Sequence, residues 1–170
     1  MLKRCAFSGH RPFYFPWKEN EEDPACIRLK AALAEEIDRA IADGFRYFIV
    51  GGAEGVDTWA AEIVLERKKS DPEITLELAK PFADYNSHLE NEKGARMRAI
   101  EAAADHVTVV SDGTDEVADY ILRDCYMVDA SERMIIVYDD ASEGASGTKD
   151  TLQYARSSGV EIRQIQWMHL

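Results

Sequence analysis

The sequence has few cysteines and no long hydrophobic run. Its three cysteines, Cys5, Cys26 and Cys125, are scattered and form no CxxC pair, which argues against a disulfide framework. We therefore expect reduced thiols and a cytoplasmic protein. No apolar run approaches the roughly 18–20 residues of a membrane helix, and the first residues do not follow the pattern of a secretory signal peptide. No membrane interaction is expected.

Positive charge is also scarce. The 20 lysines and arginines face 32 aspartates and glutamates, so the formal net charge is −12. A protein that tracks a nucleic-acid backbone needs clustered lysine and arginine, and no such cluster is visible. The composition therefore predicts against nucleic acid as a partner. A small anionic ligand is compatible with this composition, because backbone N–H groups bind anions whatever the net charge.

The sequence shows neither a metal site nor a serine nucleophile. Its histidines, His10, His88, His106 and His169, have no metal-ligand spacing among themselves or with the cysteines, so no metal is expected. Ser8 lacks the GxSxG context of a nucleophilic serine. Catalytic residues therefore stay unassigned.

Six β-rich runs alternate with five helical patterns. Strands joined by helices pair in parallel through right-handed crossovers. We therefore predict one domain over residues 1–170, an α/β Rossmann-like three-layer sandwich with a mostly parallel, doubly wound sheet of about six strands. The loop 11–24 is long for this fold and is expected to be a lid or decoration. The β-rich runs cover 4–9, 45–50, 73–82, 106–110, 133–139 and 160–167, and the helical patterns cover 25–43, 56–69, 86–104, 115–130 and 148–158.

Glycines and hydroxyl side chains collect where the predicted strands end. In "FIVGGAEGVDTWAAE" (48–62), three glycines separate a strand from a helix. Glycine permits positive φ or close approach of the backbone to a ligand, and open parallel sheets bind ligands beyond the carboxyl ends of their strands. The candidate ligand-binding residues are Ser8, Gly9, His10, Arg11, Gly51, Gly52, Ala53, Gly55, Asp57, Pro81, Phe82, Gly144, Ser146, Gly147 and Thr148.

These loops suit different parts of a ligand. "GASGTK" (144–149) opens a predicted helix, whose free N–H groups bind phosphate, and Arg11 adds a fixed positive charge. At the first glycine loop, Glu54 and Asp57 would compete with an anion. Asp57 is therefore expected to accept hydrogen bonds from ribose or to cap its helix. The aromatic candidates for covering a base, with core packing as the alternative, are Phe82, Trp59 and Tyr126.

Five segments resemble the YpsA-like proteins of the SLOG superfamily. In chain order they are "SGHRP", "GGAEGVDTWAAE", "KPF", "CYMVDASERMIIVYDD" and "GASGTKDTLQYA". The resemblance covers essentially the whole chain and implies a Rossmann-like domain that binds a nucleotide-derived ligand along its glycine loops. It relates the chain to the DNA-processing protein DprA/Smf and to LOG-type nucleotide phosphoribohydrolases. It implies no activity, because none is established for YpsA-like proteins.

Two departures separate the chain from those better-known relatives. LOG enzymes carry a pattern like PGGxGTxxE with a catalytic glutamate, whereas "GASGTKDT" has Thr151 at that place. This difference counts against hydrolysis of an N-glycosidic bond. In DprA-like proteins, the motif that appears here as "GGAEGVD" is followed by an Ala-His pair. This chain has Ala60-Ala61 at that place.

The predicted function is recognition of a nucleotide or a nucleotide derivative, such as an ADP-ribose- or NAD-like molecule, and no other cofactor is expected. Two alternatives stay open. One is a hydrolase that cleaves a nucleotide N-glycosidic or phosphoester bond, with Asp57, Glu62 or Asp139 as acid or base. The other is a regulatory scaffold that binds a protein partner through the acidic exterior. A homo-oligomer also stays open.

Overall fold

The computed structural model describes residues 2–170 and confirms the predicted fold class. Each strand and each α-helix overlaps a β-rich run or a helical pattern of the sequence. The strands are β1 (Arg4–Gly9), β2 (Tyr47–Val50), β3 (Thr75–Lys80), β4 (His106–Val109), β5 (Arg133–Val137) and β6 (Glu161–Ile165). The helices are α1 (Pro24–Ala42), α2 (Val56–Lys68), α3 (Asn91–Ala103), α4 (Glu116–Asp129) and α5 (Gly147–Ser158). None of the helices within residues 2–170 combines the length and apolar character of a membrane span.

All six strands are parallel and follow the order β4-β3-β2-β1-β5-β6. The chain moves from β1 to β4 in one direction, crosses back to β5 and continues to β6. Right-handed crossovers then place α1, α2 and α3 on one face of the sheet and α4 and α5 on the other. The strand order reverses between β1 and β5, and at such a point open parallel sheets bind ligands.

Two hydrophobic cores fill the spaces between the sheet and its helical layers. Neighbouring strand residues point to opposite faces, so Cys5 and Phe7 of β1 belong to the core under α1 and α2, whereas Ala6 belongs to the core under α4 and α5. β5 is buried along its whole length, as expected of a central strand in a parallel sheet. This rigid sheet fixes the positions of the loops at its carboxyl edge.

The loop 11–24, which was predicted to be a lid or decoration, also contributes to the core. After a short 3-10 turn at Pro12–Tyr14, the side chains of Phe15 and Trp17 are buried. Their rings stack with centroids 4.7 Å apart. This buried pair holds the exposed first part of the loop against the sheet.

The helical pattern 86–104 forms a shorter helix than predicted, because α3 begins at Asn91. Asn86 has a φ of 66°, which lies outside the right-handed α-helical region. Its side-chain amide instead donates a hydrogen bond to the carbonyl of Gly52 at 2.6 Å. The segment before α3 therefore stabilises the first glycine loop.

Candidate functional site

A cleft of about 410 Å³ opens at the carboxyl edge of the sheet, where the strand order reverses between β1 and β5. This volume lies within the range of small-molecule sites, about 300–1,000 Å³. Its walls come from the loops after β1 and β2, from α4 and from the first turn of α5.

The structure brings three of the predicted loops together around this cleft. The predicted site residues that line it are Ser8, Gly9, His10, Arg11, Ala53, Asp57, Ser146, Gly147 and Thr148. The predicted site residues that lie outside it are Gly51, Gly52, Gly55, Pro81, Phe82 and Gly144.

Two of the three glycines of "GGAEG", Gly52 and Gly55, are required by the packing of the protein itself. Gly52 and Gly55 have φ values of +79° and +85°, which L side chains rarely adopt. A Cβ at Gly52 would lie 2.8 Å from Cδ1 of Leu78, and a Cβ at Gly55 would lie 2.6 Å from the carbonyl oxygen of His10. The backbone turn and these close contacts therefore account for both glycines.

A Gly55→Ala substitution should lower the free energy of unfolding by at least about 2 kcal/mol, because the new Cβ combines backbone strain with a clash. Gly44→Ala is the matched control, since Gly44 has a φ of +94° but no atom within 4 Å of its Cβ position. We expect the control to lose about 1 kcal/mol. Urea unfolding followed by circular dichroism measures both, and equal losses would show that the contact with His10 is unimportant.

The three aromatic candidates for covering a base lie outside the cleft. Phe82 packs against Tyr120 with ring centroids 6.0 Å apart, and Trp59 is buried in the core. The hydroxyl of Tyr126 donates a hydrogen bond to the buried Glu77 at 2.6 Å. The aromatic residues that line the cleft at its mouth are Phe13, Tyr14 and Tyr120.

Arg11 places a positive charge in the cleft. Its Nη2 donates to the hydroxyl of Tyr85 at 3.4 Å, and its guanidinium lies 5.8 Å from the ring centroid of Tyr120. Because neither of these partners is a carboxylate, the charge of Arg11 is available to an anion in the cleft.

Arg123 of α4 is a second arginine in the cleft, and the sequence analysis missed it. The residue is 6% exposed. Nη1 donates to the carbonyl of Gly51 at 2.5 Å, and Nε donates to Asp124 at 2.8 Å. Its position in the sequence could have revealed it, because Arg123 lies four residues before the buried Met127 and therefore on the buried face of the helix. A charged residue on a buried helix face is a candidate site residue.

Asp57 is a buried carboxylate that lines the cleft from the first turn of α2. It is 7% exposed, and its Oδ2 accepts a hydrogen bond from the N–H of Ala53 at 3.2 Å. It therefore holds the loop before the helix, while Gly55 occupies the N-cap position. Burial raises the pKa of Asp57 to about 6, and the nearby Arg123 guanidinium opposes this rise.

His10 contributes a buried imidazole to the cleft. It is 5% exposed, and its ring stacks on Tyr14 with centroids 5.0 Å apart. Nδ1 has no hydrogen-bond partner within residues 2–170, which is uncommon for a buried polar atom. Burial lowers the pKa of His10, so its ring is neutral at pH 7 and offers one donor and one acceptor.

The first turn of α5 forms another wall of the cleft. Ser146 is the N-cap, and its Oγ accepts a hydrogen bond from the N–H of Lys149 at 3.1 Å. The N–H groups of Gly147 and Thr148 precede the first intrahelical hydrogen bonds and have no partner within the helix. A Cβ placed on Gly147 meets no atom within 4 Å, so there is space beside these donors. Such a helix start binds anions.

Only one of the three acids considered for hydrolysis lines the cleft, and that is Asp57. Glu62 forms a surface ion pair, and both oxygens of Asp139 accept backbone hydrogen bonds. Asp124, which the sequence analysis did not single out, is the second carboxylate in the cleft.

The fold and the cleft define a Rossmann-like α/β protein with a candidate ligand site at the reversal of strand order. The sequence model of the YspA SLOG family, with the short name YpsA, matches residues 5–170. The chain therefore belongs to this family, which confirms the resemblance seen in its motifs.

Similar curated proteins are named UPF0398 proteins. The one from Brevibacillus brevis is 31% identical over 146 residues, which cover 85% of this chain and 77% of the relative. One from Bacillus cereus is 26% identical over 145 residues, which cover 85% of this chain and 78% of the relative. These names state no activity.

Two solved structures of DNA processing protein A share the fold. The Streptococcus pneumoniae protein aligns with a TM-score of 0.63 and 16% identity over 96% of this chain, and the Helicobacter pylori protein with a TM-score of 0.60 and 17% identity over 95%. This chain spans 50% and 64% of their respective lengths. At these identities the likeness shows the fold alone.

The prediction against nucleic acid as a partner is wrong. It rested on the net charge of −12, yet the Helicobacter pylori protein with this fold is described by its single-stranded DNA binding mode. Net charge averages over the whole surface, whereas binding depends on the field within one cleft. Composition therefore does not exclude nucleic acid for a chain of this fold.

Proposed function

We propose that the cleft at the reversal of strand order binds a nucleotide-derived ligand. The observation that carries this proposal is the convergence of three surfaces around one cleft, namely the first turn of α5 with Arg11, the carboxylate of Asp57, and exposed aromatic rings. Phosphate, sugar and base need three such different surfaces, and here they lie next to one another.

The phosphate is placed at the start of α5. The free N–H groups of Gly147 and Thr148 and the positive end of the helix attract an anion. Arg11 supplies a full positive charge and a planar set of donors that matches phosphate oxygens. The buried His10 offers a further polar group to the same cleft.

The sugar and the base are placed on the remaining walls. Asp57 provides a carboxylate that can accept hydrogen bonds from ribose hydroxyls. Phe13 and Tyr14 are exposed at the mouth, with ring centroids 4.2 Å apart, and offer a surface on which a base can stack. An ADP-ribose- or NAD-like molecule belongs to this ligand class, and so does a nucleoside monophosphate.

A thermal-shift panel of AMP, ADP-ribose, NAD and a single-stranded oligothymidylate tests the proposal on wild type and Gly147→Val. A ligand at 100 times its Kd adds about 2.7 kcal/mol, which is roughly 5–10 °C for a domain of this size. Valine at Gly147 meets no protein atom at its Cβ position, so the variant should fold and lose the shift because its side chain covers the free N–H groups.

Gln153→Val is the matched control, since Gln153 is exposed on the same helix and does not line the cleft. The control should keep the full shift. A shift that survives in Gly147→Val would place the ligand elsewhere, and no shift with any ligand would overturn the proposal in favour of the protein-partner alternative.

Single-stranded nucleic acid is the second candidate ligand, and the fold shared with the Helicobacter pylori protein favours it. A single strand presents the same phosphate, sugar and base to the cleft as a free nucleotide does. The oligothymidylate in the panel distinguishes a single strand from a free nucleotide as the ligand. A site that binds a strand would show a larger thermal shift with oligothymidylate than with AMP at equal concentration.

A further inference from the structure

A second cavity, a groove of about 350 Å³, lies between α4 and α5. On α4 the lining residues follow the spacing of one helix face, and the same is true on α5. They include Val117, Ile121 and Asp124 on α4, and Gly147, Asp150 and Tyr154 on α5.

The floor of this groove is apolar and open to solvent. Val117 is 70% exposed and Ile121 is 58% exposed, and the ring of Tyr154 faces them from α5. Exposed apolar side chains that share one face and one groove are typical of a binding surface.

The groove and the cleft are adjacent and share part of their lining. Tyr120, Asp124 and Gly147 line both of them. The first turn of α5, which begins at Gly147, therefore lies between the two cavities. A phosphate bound there has the cleft on one side and the groove on the other.

We propose that the groove binds the second nucleoside of a ligand whose two nucleosides are joined by a phosphodiester at the start of α5. This proposal rests on the proposed function and names its ligand class, which is a dinucleoside monophosphate or two consecutive nucleotides of a single strand. Tyr120 and Tyr154 offer rings for base stacking. Asp124 and Asp150 offer acceptors for the N–H groups of a base.

Asp150 favours a phosphodiester over a terminal phosphate at this place. It lines the groove beside the phosphate, whereas Asp124, which also lines the groove, forms an ion pair with Arg123 at 2.8 Å. A terminal phosphate carries about −1.5 to −2 charges at pH 7, whereas a phosphodiester carries one, so it is repelled less by Asp150. A second copy of the chain suits the groove less well, because a symmetric contact would bring the same carboxylates against each other.

Titration calorimetry with dTpdT and dTMP as probes tests the proposal. We expect wild type to bind dTpdT at least about tenfold more tightly than dTMP, because a second base is stacked. Ile121→Gln should reduce the affinity for dTpdT to about that for dTMP and leave dTMP binding unchanged.

Leu122→Gln is the matched control, since Leu122 is the next residue of α4, is 51% exposed and lines neither cavity. It should change the binding of neither probe. Equal affinities of wild type for the two probes, or an equal loss in Ile121→Gln and Leu122→Gln, would overturn the inference while leaving nucleotide binding in the cleft intact. Binding of neither probe, together with a flat thermal-shift panel, would overturn the proposed function as well.

Discussion

An Arg123→Met variant should lose about 3–5 kcal/mol of the free energy of unfolding in urea titrations at pH 7. Arg123 is 6% exposed in the wild type, and its guanidinium donates to the carbonyl of Gly51 at 2.5 Å. Methionine is apolar and adapts to the space, but the carbonyl loses this donor. The buried carboxylate of Asp57 also loses the positive charge that favours its ionised form. Both losses destabilise the folded state.

Arg156→Met is the matched control, because Arg156 is exposed near the end of α5. It should change the stability by less than about 0.5 kcal/mol. Adding Asp57→Asn to Arg123→Met should recover part of the loss, since no carboxylate is then buried beside the missing charge. An Arg123→Met protein as stable as the control would contradict this role of Arg123.

The fold was predictable because each element carries a local signal and the alternation of elements restricts the topology. A buried parallel strand such as Met134–Val137 appears as a short apolar run, and a helix between two strands enforces a parallel crossover. The start of α3 was not predictable. Asn86 leaves the helical pattern to bond the carbonyl of Gly52, and that partner is adjacent only in the folded chain.

The candidate site was predictable in part. Parallel topology places every strand end at one edge, which led to Arg11, Asp57 and the start of α5. Glycines in such loops look alike in sequence, yet Gly52 packs against Leu78 whereas Gly147 borders open space. That difference arises from tertiary contacts.

Two further features of the site could not be predicted from the residues that follow the strands. Tyr120 and Arg123 enter the cleft from the middle of α4, where a side chain is usually assigned to packing. The excess of acids suggested the absence of a nucleic-acid site, because a sum over 170 residues conceals where the individual charges lie.

The ionisation of Asp57 should make the protein less stable as the pH rises from 4 to 7. The pKa is about 6 in the folded state against an ordinary value of 3.8, so between these values the folded state binds more protons than the unfolded state. Stability therefore falls through this window. A difference of about two pH units corresponds to about 3 kcal/mol. The contribution is fully present below pH 3.8 and is lost as the pH passes 6.

Comparing wild type with Asp57→Asn isolates this effect, because the other carboxylates contribute equally to both proteins. Urea unfolding at pH 4, 5, 6 and 7 should show the stability of wild type falling relative to Asp57→Asn by about 2.4 kcal/mol over the series, which is most of the full difference. Asp84→Asn, in an exposed loop, is the matched control for the loss of a carboxylate. If the difference between wild type and Asp57→Asn were the same at every pH, Asp57 would ionise equally readily in both states. The carboxylate would then have to be hydrated in the folded protein, with the cleft open to water as far as the first turn of α2.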